Sequence, residues 1–286
     1  MEVLQYTGLT QEQIDRYHQL AGQCGSLVYP LADAYFDGEY DHISQLYEPL
    51  LSVTGSESEL LGAMLLVVVR CAQRKAQTLA GREQELFLAA CSDISSKVNE
   101  CLAYKKAFGT FVLNWYHGLI KARRVALGRL QFDLGVYSGP EIQKGSFVLR
   151  EGDRKLQCHI PSGKGPLTEE ACADAFQKAW EEFPEYRKDG VLPILCDSWL
   201  LYPGYAQVFP PQSNVGKFRA LWTLYQKKEQ EGFPDCWRVF SIDLPEKLEI
   251  LPRNTRMQRA FADYLSAGGS CGGGAGIVLF DGQKIL

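Results

Sequence analysis

The sequence predicts an α+β protein, with an all-helical domain over residues 1–125 and a mixed β-sheet domain with flanking helices over residues 126–286. Before residue 126, apolar residues recur at helical spacing and no period-two alternation competes with them. After it, short alternating segments typical of half-buried strands are interspersed with helical ones. A chain of 286 residues has room for two ordinary domains.

Five helices are predicted in the first domain. Thr10 and Gln13 form a capping-box pattern, which starts a helix that continues through Leu20. The Ser and Glu residues that open the segment 56–77 suit a helix amino end, because negative side chains are stabilised there. The remaining predicted helices span residues 39–51, 82–104 and 106–125.

The second domain alternates strands with helices. Strands are predicted over residues 129–134, 146–150, 155–160, 191–201, 236–242 and 276–280, and helices over 168–183, 213–228 and 254–267. The turn-like residues 151–154 predict a hairpin between the second and third of these strands. The glycine-rich stretch 268–276 predicts a flexible connection before the last strand.

Composition narrows the class of protein. The formal charge of −4 gives no support to a nucleic-acid partner, since such domains usually carry a basic excess. The one basic patch, formed by Lys121, Arg123, Arg124 and Arg129, is expected to face solvent or an acidic partner surface. The longest apolar run, 63–69, is far shorter than the roughly 20 residues that cross a bilayer. No signal-peptide pattern opens the chain, so a cytoplasmic protein without a membrane partner is expected.

The nine cysteines predict free, mostly buried thiols. Their number is odd and no two form a C-x-x-C pattern, unlike the cysteines of a secreted disulfide scaffold. Only four histidines are present, and only His159 lies beside a cysteine, so no metal site is expected.

The most informative segment is the strand, loop and helix over residues 156–183. Ser162, Gly163, Lys164 and Gly165 lie at the turn from strand to helix. Exposed backbone N–H groups at a helix start bind phosphate, and a lysine adds positive charge. The loop matches neither the Walker pattern nor G-x-G-x-x-G, so a plain glycine-containing turn stays the alternative.

Further candidate residues lie on three other segments. Alternation in the strand 191–201 places Cys196 and Ser198 on one face and Asp197 on the other, which favours either the border of a cleft or a polar sheet edge. His159 ends a strand just before the loop, where an imidazole suits base catalysis, although a packed histidine is the commoner case. Tyr225 can present its hydroxyl from near the end of the helix 213–228, whose other aromatic residues favour a core.

Five segments in order resemble one known family. Together they are similar to the bacterial acyltransferase-domain family, which has a helical N-acyltransferase amino-terminal domain and a GNAT-like carboxy-terminal domain. The segments are Gly128-Arg-Leu-Gln-Phe132, His159-Ile-Pro-Ser162, Cys196-Asp-Ser-Trp-Leu-Leu201, Ser213-Asn-Val-Gly-Lys-Phe218 and Leu251-Pro-Arg-Asn-Thr-Arg-Met-Gln-Arg259. The helical half matches mainly in length and character.

The resemblance implies a donor, acetyl-CoA or another acyl-CoA, and a place for it. Its pyrophosphate would lie on Ser162–Gly165, and its pantetheine arm between the strands 155–160 and 192–201. Asn214 matches an Asn that many GNAT enzymes carry near the start of the next helix. No metal is implied.

The resemblance also implies direct transfer of an acyl group, expected to be acetyl, to a small-molecule or peptide amine. A base takes a proton from the amine, the amine attacks the thioester, and an acid protonates the departing thiolate. Tyr225 matches the acid, and His159 or Ser198 would lie near the acceptor.

The phosphate loop departs from the family pattern Q/R-x-x-G-x-G/A. Ile160 stands where Gln or Arg is usual, and Pro166 removes one backbone donor. A catalytically inactive GNAT-like fold that serves as a ligand-binding or protein-interaction module is therefore the alternative. A covalent enzyme with Cys196 as nucleophile is a third possibility, although no paired base is visible.

Overall fold

The computed structural model describes residues 2–286. The chain forms two compact units, of which the first ends at Ala126 and the second begins at Leu127. The first is helical and the second is a mixed sheet with flanking helices, which confirms the predicted α+β class.

The first unit is built around one buried helix. Its helices are α1 (Gln11–Asp37), α2 (Tyr47–Thr54), α3 (Glu57–Thr78), α4 (Gly81–Cys91), α5 (Asp93–Tyr104) and α6 (His117–Ile120). The predicted capping box at Thr10 is confirmed, since its side chain accepts from the Gln13 backbone and the Gln13 side chain accepts from the Thr10 backbone. The ten residues 60–69 of α3 are all buried, so this helix forms the centre of the apolar core.

Two predicted helices of the first unit are wrong. The segment 82–104 breaks at Ser92, whose side-chain hydroxyl donates to the Ala89 carbonyl at 2.7 Å and so competes with helix continuation. The segment 106–125 holds only the short α6 and then a strand. Gly109 has a φ of 155°, which no residue of a right-handed helix adopts, and a Cβ there would lie 2.2 Å from the Leu61 carbonyl of α3.

The second unit contains a six-stranded sheet. Its strands and those of a small hairpin are β1 (Arg124–Leu127, at the unit boundary), β2 (Leu130–Val136), β3 (Ile142–Lys144), β4 (Phe147–Leu149), β5 (Arg154–His159), β6 (Leu192–Ser198), β7 (Thr223–Gln230) and β8 (Cys271–Phe280). The sheet order is β1-β2-β5-β6-β8-β7, and β3 pairs with β4 separately. Among the pairs within this unit, β5 and β6 run parallel and the others antiparallel. The helices are α7 (Glu169–Glu182), α8 (Asn214–Ala220), α9 (Cys236–Phe240) and α10 (Arg256–Ser266).

Three sequence predictions for this unit are wrong. β4 pairs with β3, and β5 lies between β2 and β6, so no hairpin joins the segments 146–150 and 155–160. The predicted strand 236–242 contains the helix α9. The predicted helix 213–228 ends at Ala220, after which the chain forms β7.

The predicted flexible connection 268–276 is also wrong, because β8 begins within it at Cys271. Its alternate glycines admit close neighbours on one face. A Cβ at Gly272 would lie 2.2 Å from the Lys228 carbonyl oxygen. A Cβ at Gly274 would lie 2.5 Å from the Leu201 carbonyl oxygen, and one at Gly276 would lie 2.9 Å from the Trp222 Cβ. The glycines therefore mark tight packing of a strand, not chain freedom.

The two faces of the sheet are covered differently. On one face α7 packs through Phe176, whose ring lies 6.2–6.4 Å from those of Phe132, Trp222 and Phe280. We call this the α7 face. On the other, the β3–β4 hairpin forms a cluster with apolar residues of β6 and β8, including Leu195. We call this the hairpin face.

The structure also tests the predictions for the cysteines and for the basic patch. The nine cysteines are free thiols and all but Cys24 are buried, as predicted. The prediction that the basic patch faces solvent or a partner is wrong for Arg124. This residue is 4% exposed, and its guanidinium lies 3.8 Å from the centre of the Trp115 ring. Within residues 2–286, none of the helices combines the length and apolar character needed to cross a membrane.

Candidate active site

The parallel strands β5 and β6 pair over a short stretch only. Leu156 pairs with Ile194 and Gln157 with Leu195, and both strands continue beyond these residues. We call the residues past the ladder, 158–159 of β5 and 196–198 of β6, the β5–β6 opening. Backbone N–H and C=O groups that are not used by a ladder can bind an extended ligand between two strands.

On the α7 face, the β5–β6 opening carries two thiols. Cys158 and Cys196 are each 1% exposed. Burial, followed by the hydrogen bond to Cys196, raises the pKa of the Cys158 thiol well above its ordinary value. Because the Cys196 side chain is almost completely covered, a substrate carbonyl has no access to its sulfur, which argues against covalent catalysis by Cys196.

On the hairpin face, the opening carries His159 and Asp197, each two residues past the last ladder pair. His159 Nε2 lies 2.9 Å from Asp133 Oδ2. The antiparallel register of β2 and β5 brings the two together, since Gln131 pairs with His159 and Asp133 with Gln157. The sequence alone does not single out Asp133, because the role of this residue depends on the strand partner and register of β2.

Beside the apolar cluster under the hairpin, the hairpin face is polar along β2 and β5. Gln131 is 1% exposed, and neither amide atom of its side chain has a hydrogen-bond partner in the described structure. Lys155 Nζ donates to Gln157 Oε1 at 2.9 Å, and burial lowers the pKa of this lysine. Central strands of a sheet usually bury apolar side chains, so a row of polar ones favours a binding surface.

Tyr225 lies on β7, not on a helix, at a bulge between Leu224 and Gln226. Burial raises the pKa of its hydroxyl to about 12, with further contributions from Tyr137 and Asp197. The residue as a whole is 40% exposed, so the burial concerns its hydroxyl end, which lies within electrostatic reach of the Asp197 carboxylate.

The structure separates Ser198 from His159. The alternation of β6 places the Ser198 side chain with Cys196 on the α7 face, opposite to Asp197. Its hydroxyl accepts from the Leu200 backbone at 3.2 Å and so caps the turn that ends the strand. Asp197, not Ser198, therefore shares a face with His159.

The predicted phosphate loop joins β5 to α7. Gly163 and Gly165 have φ values of 71° and 82°, and a Cβ at either position would meet nothing within 4 Å. Arg129 holds the two ends of the loop, donating to the Gly165 carbonyl and to the Pro161 carbonyl at 2.9 Å each. Arg129 belongs to the basic patch that was expected to face solvent or an acidic partner surface, and its contacts with the loop could not be predicted from that patch.

Charges of both signs surround this loop. Glu169 and Glu170 lie in the first turn of α7. Lys217 of α8 pairs with Glu169 at 2.7 Å, and Asn214 is exposed in the first turn of the same helix. Lys164 is half-buried in the loop itself. The helix start that suits a phosphate thus also carries two carboxylates, which oppose anion binding.

The family model of the GNAT-like C-terminal domain matches residues 125–278. The protein belongs to this family. The match covers more than half of the chain and includes β5, the loop, α7 and β6. The resemblance found in the second-half motifs is thereby confirmed, and the β5–β6 opening belongs to a GNAT-like domain.

Solved structures of acyltransferases share this fold. One, in complex with decanoyl-CoA and teicoplanin, is 18% identical, with a TM-score of 0.65 and coverage of 83% of this chain and 77% of that chain. Another, a mutant in complex with octanoyl-CoA, is 17% identical, with a TM-score of 0.65 and coverage of 98% of this chain and 100% of that chain. At these identities the likeness concerns the fold alone. No curated protein matches the sequence.

Proposed function

We propose that this protein transfers an acyl group from an acyl-CoA to an amine by direct attack on the thioester. The observation that carries the proposal is the β5–β6 opening, where a short parallel ladder ends and one of the two strands leads straight into a glycine-containing loop and a helix start. Membership of the GNAT-like family and the acyl-CoA complexes of similar folds support it.

The donor is held at two places in this proposal. Backbone N–H groups of Ser162–Gly165 and the start of α7 bind the pyrophosphate, with Lys164 adding charge. The pantetheine arm extends through the β5–β6 opening, with Asn214 contacting it from α8. A strand N–H there stabilises the oxyanion, a contribution of about 3 kcal/mol in other acyl-transfer enzymes.

The acceptor approaches from the hairpin face. His159 takes a proton from the amine while the amine nitrogen forms its bond to the thioester carbon. The C–S bond then breaks, and Tyr225 gives its proton to the departing thiolate. A tyrosine hydroxyl is protonated at neutral pH, and the raised pKa extends this protonated range upwards. Ser198 acts as a cap of the turn in this scheme and not in the reaction.

The proposal covers acyl donors of different chain lengths. The similar structures hold octanoyl-CoA and decanoyl-CoA, whereas the family resemblance alone led us to expect acetyl. We therefore propose an acyl-CoA donor and compare chains of two, eight and ten carbons in the test.

A second candidate function is a GNAT-like fold that binds a ligand or partner without catalysis. Ile160, Pro166 and the two carboxylates at the start of α7 favour it, because each weakens a cradle for the CoA phosphates.

Isothermal titration calorimetry of the reduced protein with acetyl-CoA, octanoyl-CoA, decanoyl-CoA and CoA tests both candidates. A double substitution, Gly163→Val with Gly165→Val, blocks the loop. Gly145→Val is the matched control, since Gly145 also has a positive φ of 59° and open space around it, but lies in the β3–β4 turn. We expect micromolar binding of at least one acyl-CoA that only the loop variant loses.

Mass spectrometry of a primary-amine panel, covering amino sugars, polyamines and dipeptides, then detects acylated product. Binding without transfer to any amine would favour the non-catalytic module. The absence of binding up to millimolar concentrations of all four ligands would overturn the proposed function.

A further inference from the structure

We infer that Asp133 is a positioning residue, which fixes His159 in the tautomer and orientation that accept the proton of the acceptor amine. This inference rests on the proposed function. It adds a residue that neither the family resemblance nor the motifs of the sequence single out.

The backbone imposes the Asp133–His159 pair. The two residues lie diagonally across the β2–β5 ladder, where pairs Gln131–His159 and Asp133–Gln157 flank them. Diagonal neighbours of an antiparallel pair are within reach of longer side chains. The side chains are 27% and 19% exposed, and the Nε2–Oδ2 distance is 2.9 Å. A hydrogen bond between two inner strands of a sheet is more rigid than one between flexible surface side chains.

The chemistry of the pair determines the tautomer. An ionised carboxylate only accepts hydrogen bonds, so His159 donates to Asp133 through Nε2–H. The lone pair of the neutral ring is then on Nδ1, the nitrogen that takes the amine proton. When the proton arrives, an imidazolium forms beside a carboxylate, which stabilises it without itself becoming protonated.

Lys155 is a charged residue that interacts electrostatically with Asp133. Its ammonium group donates to Gln157 Oε1 on the same strand, so this hydrogen bond does not compete with the one between His159 and Asp133. Burial lowers the pKa of Lys155, and the negative charge of Asp133 partly offsets this effect, which shows that the two groups interact electrostatically.

Steady-state kinetics of Asp133→Asn against the wild type test the inference, with the acyl-CoA and amine found in the screen above. We expect kcat to fall by about 10²-fold, the lower range for loss of an effective general base, while KM for the acyl-CoA changes less than twofold. Asp133→Glu keeps the charge and should recover part of kcat. Asp174→Asn is the matched control, since it removes a carboxylate paired with Lys178 on exposed α7.

Nitrogen-15 NMR of the histidine rings supplies a readout that a purely structural role would not move. In the wild type we expect His159 as the Nε2–H tautomer, identified by loss of its signals in His159→Asn. In Asp133→Asn the amide can donate as well as accept, so a mixture of tautomers is expected. With only four histidines in the chain, the assignment is direct.

A double-substitution cycle separates action through His159 from a general structural role, and Asp133→Glu supplies the kinetic test if Asp133→Asn folds poorly. In the His159→Asn background, loss of the Asp133 carboxylate should cost no further activity, because Asp133 acts only through His159. A kcat within threefold of wild type in Asp133→Asn, or a full further loss in the double variant, would overturn the inference and leave the proposed function standing. A wild-type protein that binds no acyl-CoA would overturn both.

Discussion

The α7 face and the hairpin face of the central sheet are built from neighbouring residues of the same strands, yet they differ in chemistry. On the α7 face, Phe132, Cys158 and Cys196 are buried under α7. On the hairpin face, Asp133, His159 and Asp197 follow each of them by one residue and remain partly or fully exposed. The comparison shows how one strand can anchor the fold with one side and present reactive groups with the other.

Loss of aromatic packing on the α7 face should destabilise the protein strongly. Phe176 is fully buried among the rings of Phe132, Trp222 and Phe280. We expect Phe176→Ala to lower the free energy of unfolding by about 3–5 kcal/mol, because it leaves a cavity in a packed aromatic cluster.

Urea denaturation measures this loss. Phe176→Leu, which keeps most of the volume, is the control and should cost about half as much or less. Acyl transfer per folded molecule should be unchanged in Phe176→Leu. A loss of stability below about 1 kcal/mol in Phe176→Ala would show that α7 does not anchor the sheet through this residue.

His159 lies on the hairpin face and Ser198 on the α7 face, so the kcat values of their variants compare the two faces directly. Asparagine at 159 can still donate to Asp133 but cannot act as a base, so His159→Asn should lower kcat by about 10²-fold or more. Ser198→Ala removes only the cap of a turn and should leave kcat within about threefold, with a stability loss of about 1 kcal/mol. The reverse result, with Ser198 the sensitive residue, would move the acceptor to the α7 face.

The role of Tyr225 on the hairpin face can be tested through the pH dependence of the reaction. Burial raises its pKa to about 12, so the acid stays protonated below pH 10 in the folded protein. We expect Tyr225→Phe to lower kcat about tenfold, with the same factor from pH 7 to pH 10. The raised pKa also makes the stability of the protein depend on pH. The contribution of Tyr225 to the free energy of unfolding is complete below pH 10 and is lost as the pH rises towards 12.

Stopped-assay kinetics across this pH range check the first expectation, and denaturation at pH 9 and pH 11 checks the second. A factor that disappears between pH 8 and pH 9 would mean that Tyr225 titrates there and contradict the role of a protonated acid. Tyr137→Phe is a control for the general loss of a hydroxyl on the same face, since its hydroxyl donates to the Pro140 carbonyl.

Local signals in the sequence predicted a good part of the fold. The capping residues Thr10, Thr168 and Ser213 each begin a helix where the pattern placed one, because a cap depends on the next three residues alone. Tertiary contacts decided the rest. The glycines of β8 are explained by the close approach of Leu201 and Trp222, which nothing near them in the sequence announces.

The candidate site divides in the same way. The loop 162–165 and the polar end of β6 could be singled out because their residues are contiguous. Tyr225 was placed on a helix, since the apolar spacing continues past Leu221 while the chain itself changes to a strand. Asp133 and Arg129 could not be predicted, because their roles follow from the β2–β5 register and from the position of the loop.

A modest change in affinity is expected at the start of α7, where the helix that covers one face lies next to the proposed donor site. Glu170 is exposed in the first turn and opposes a bound pyrophosphate. We expect Glu170→Gln to tighten CoA binding about two- to fourfold at low salt, and the gain to shrink at 0.5 M salt, because screening weakens exposed charges. Glu181→Gln removes the same charge near the other end of α7 and should change nothing. Equal tightening in both variants would attribute the effect to net charge, and the phosphate would not then need to lie at this helix start.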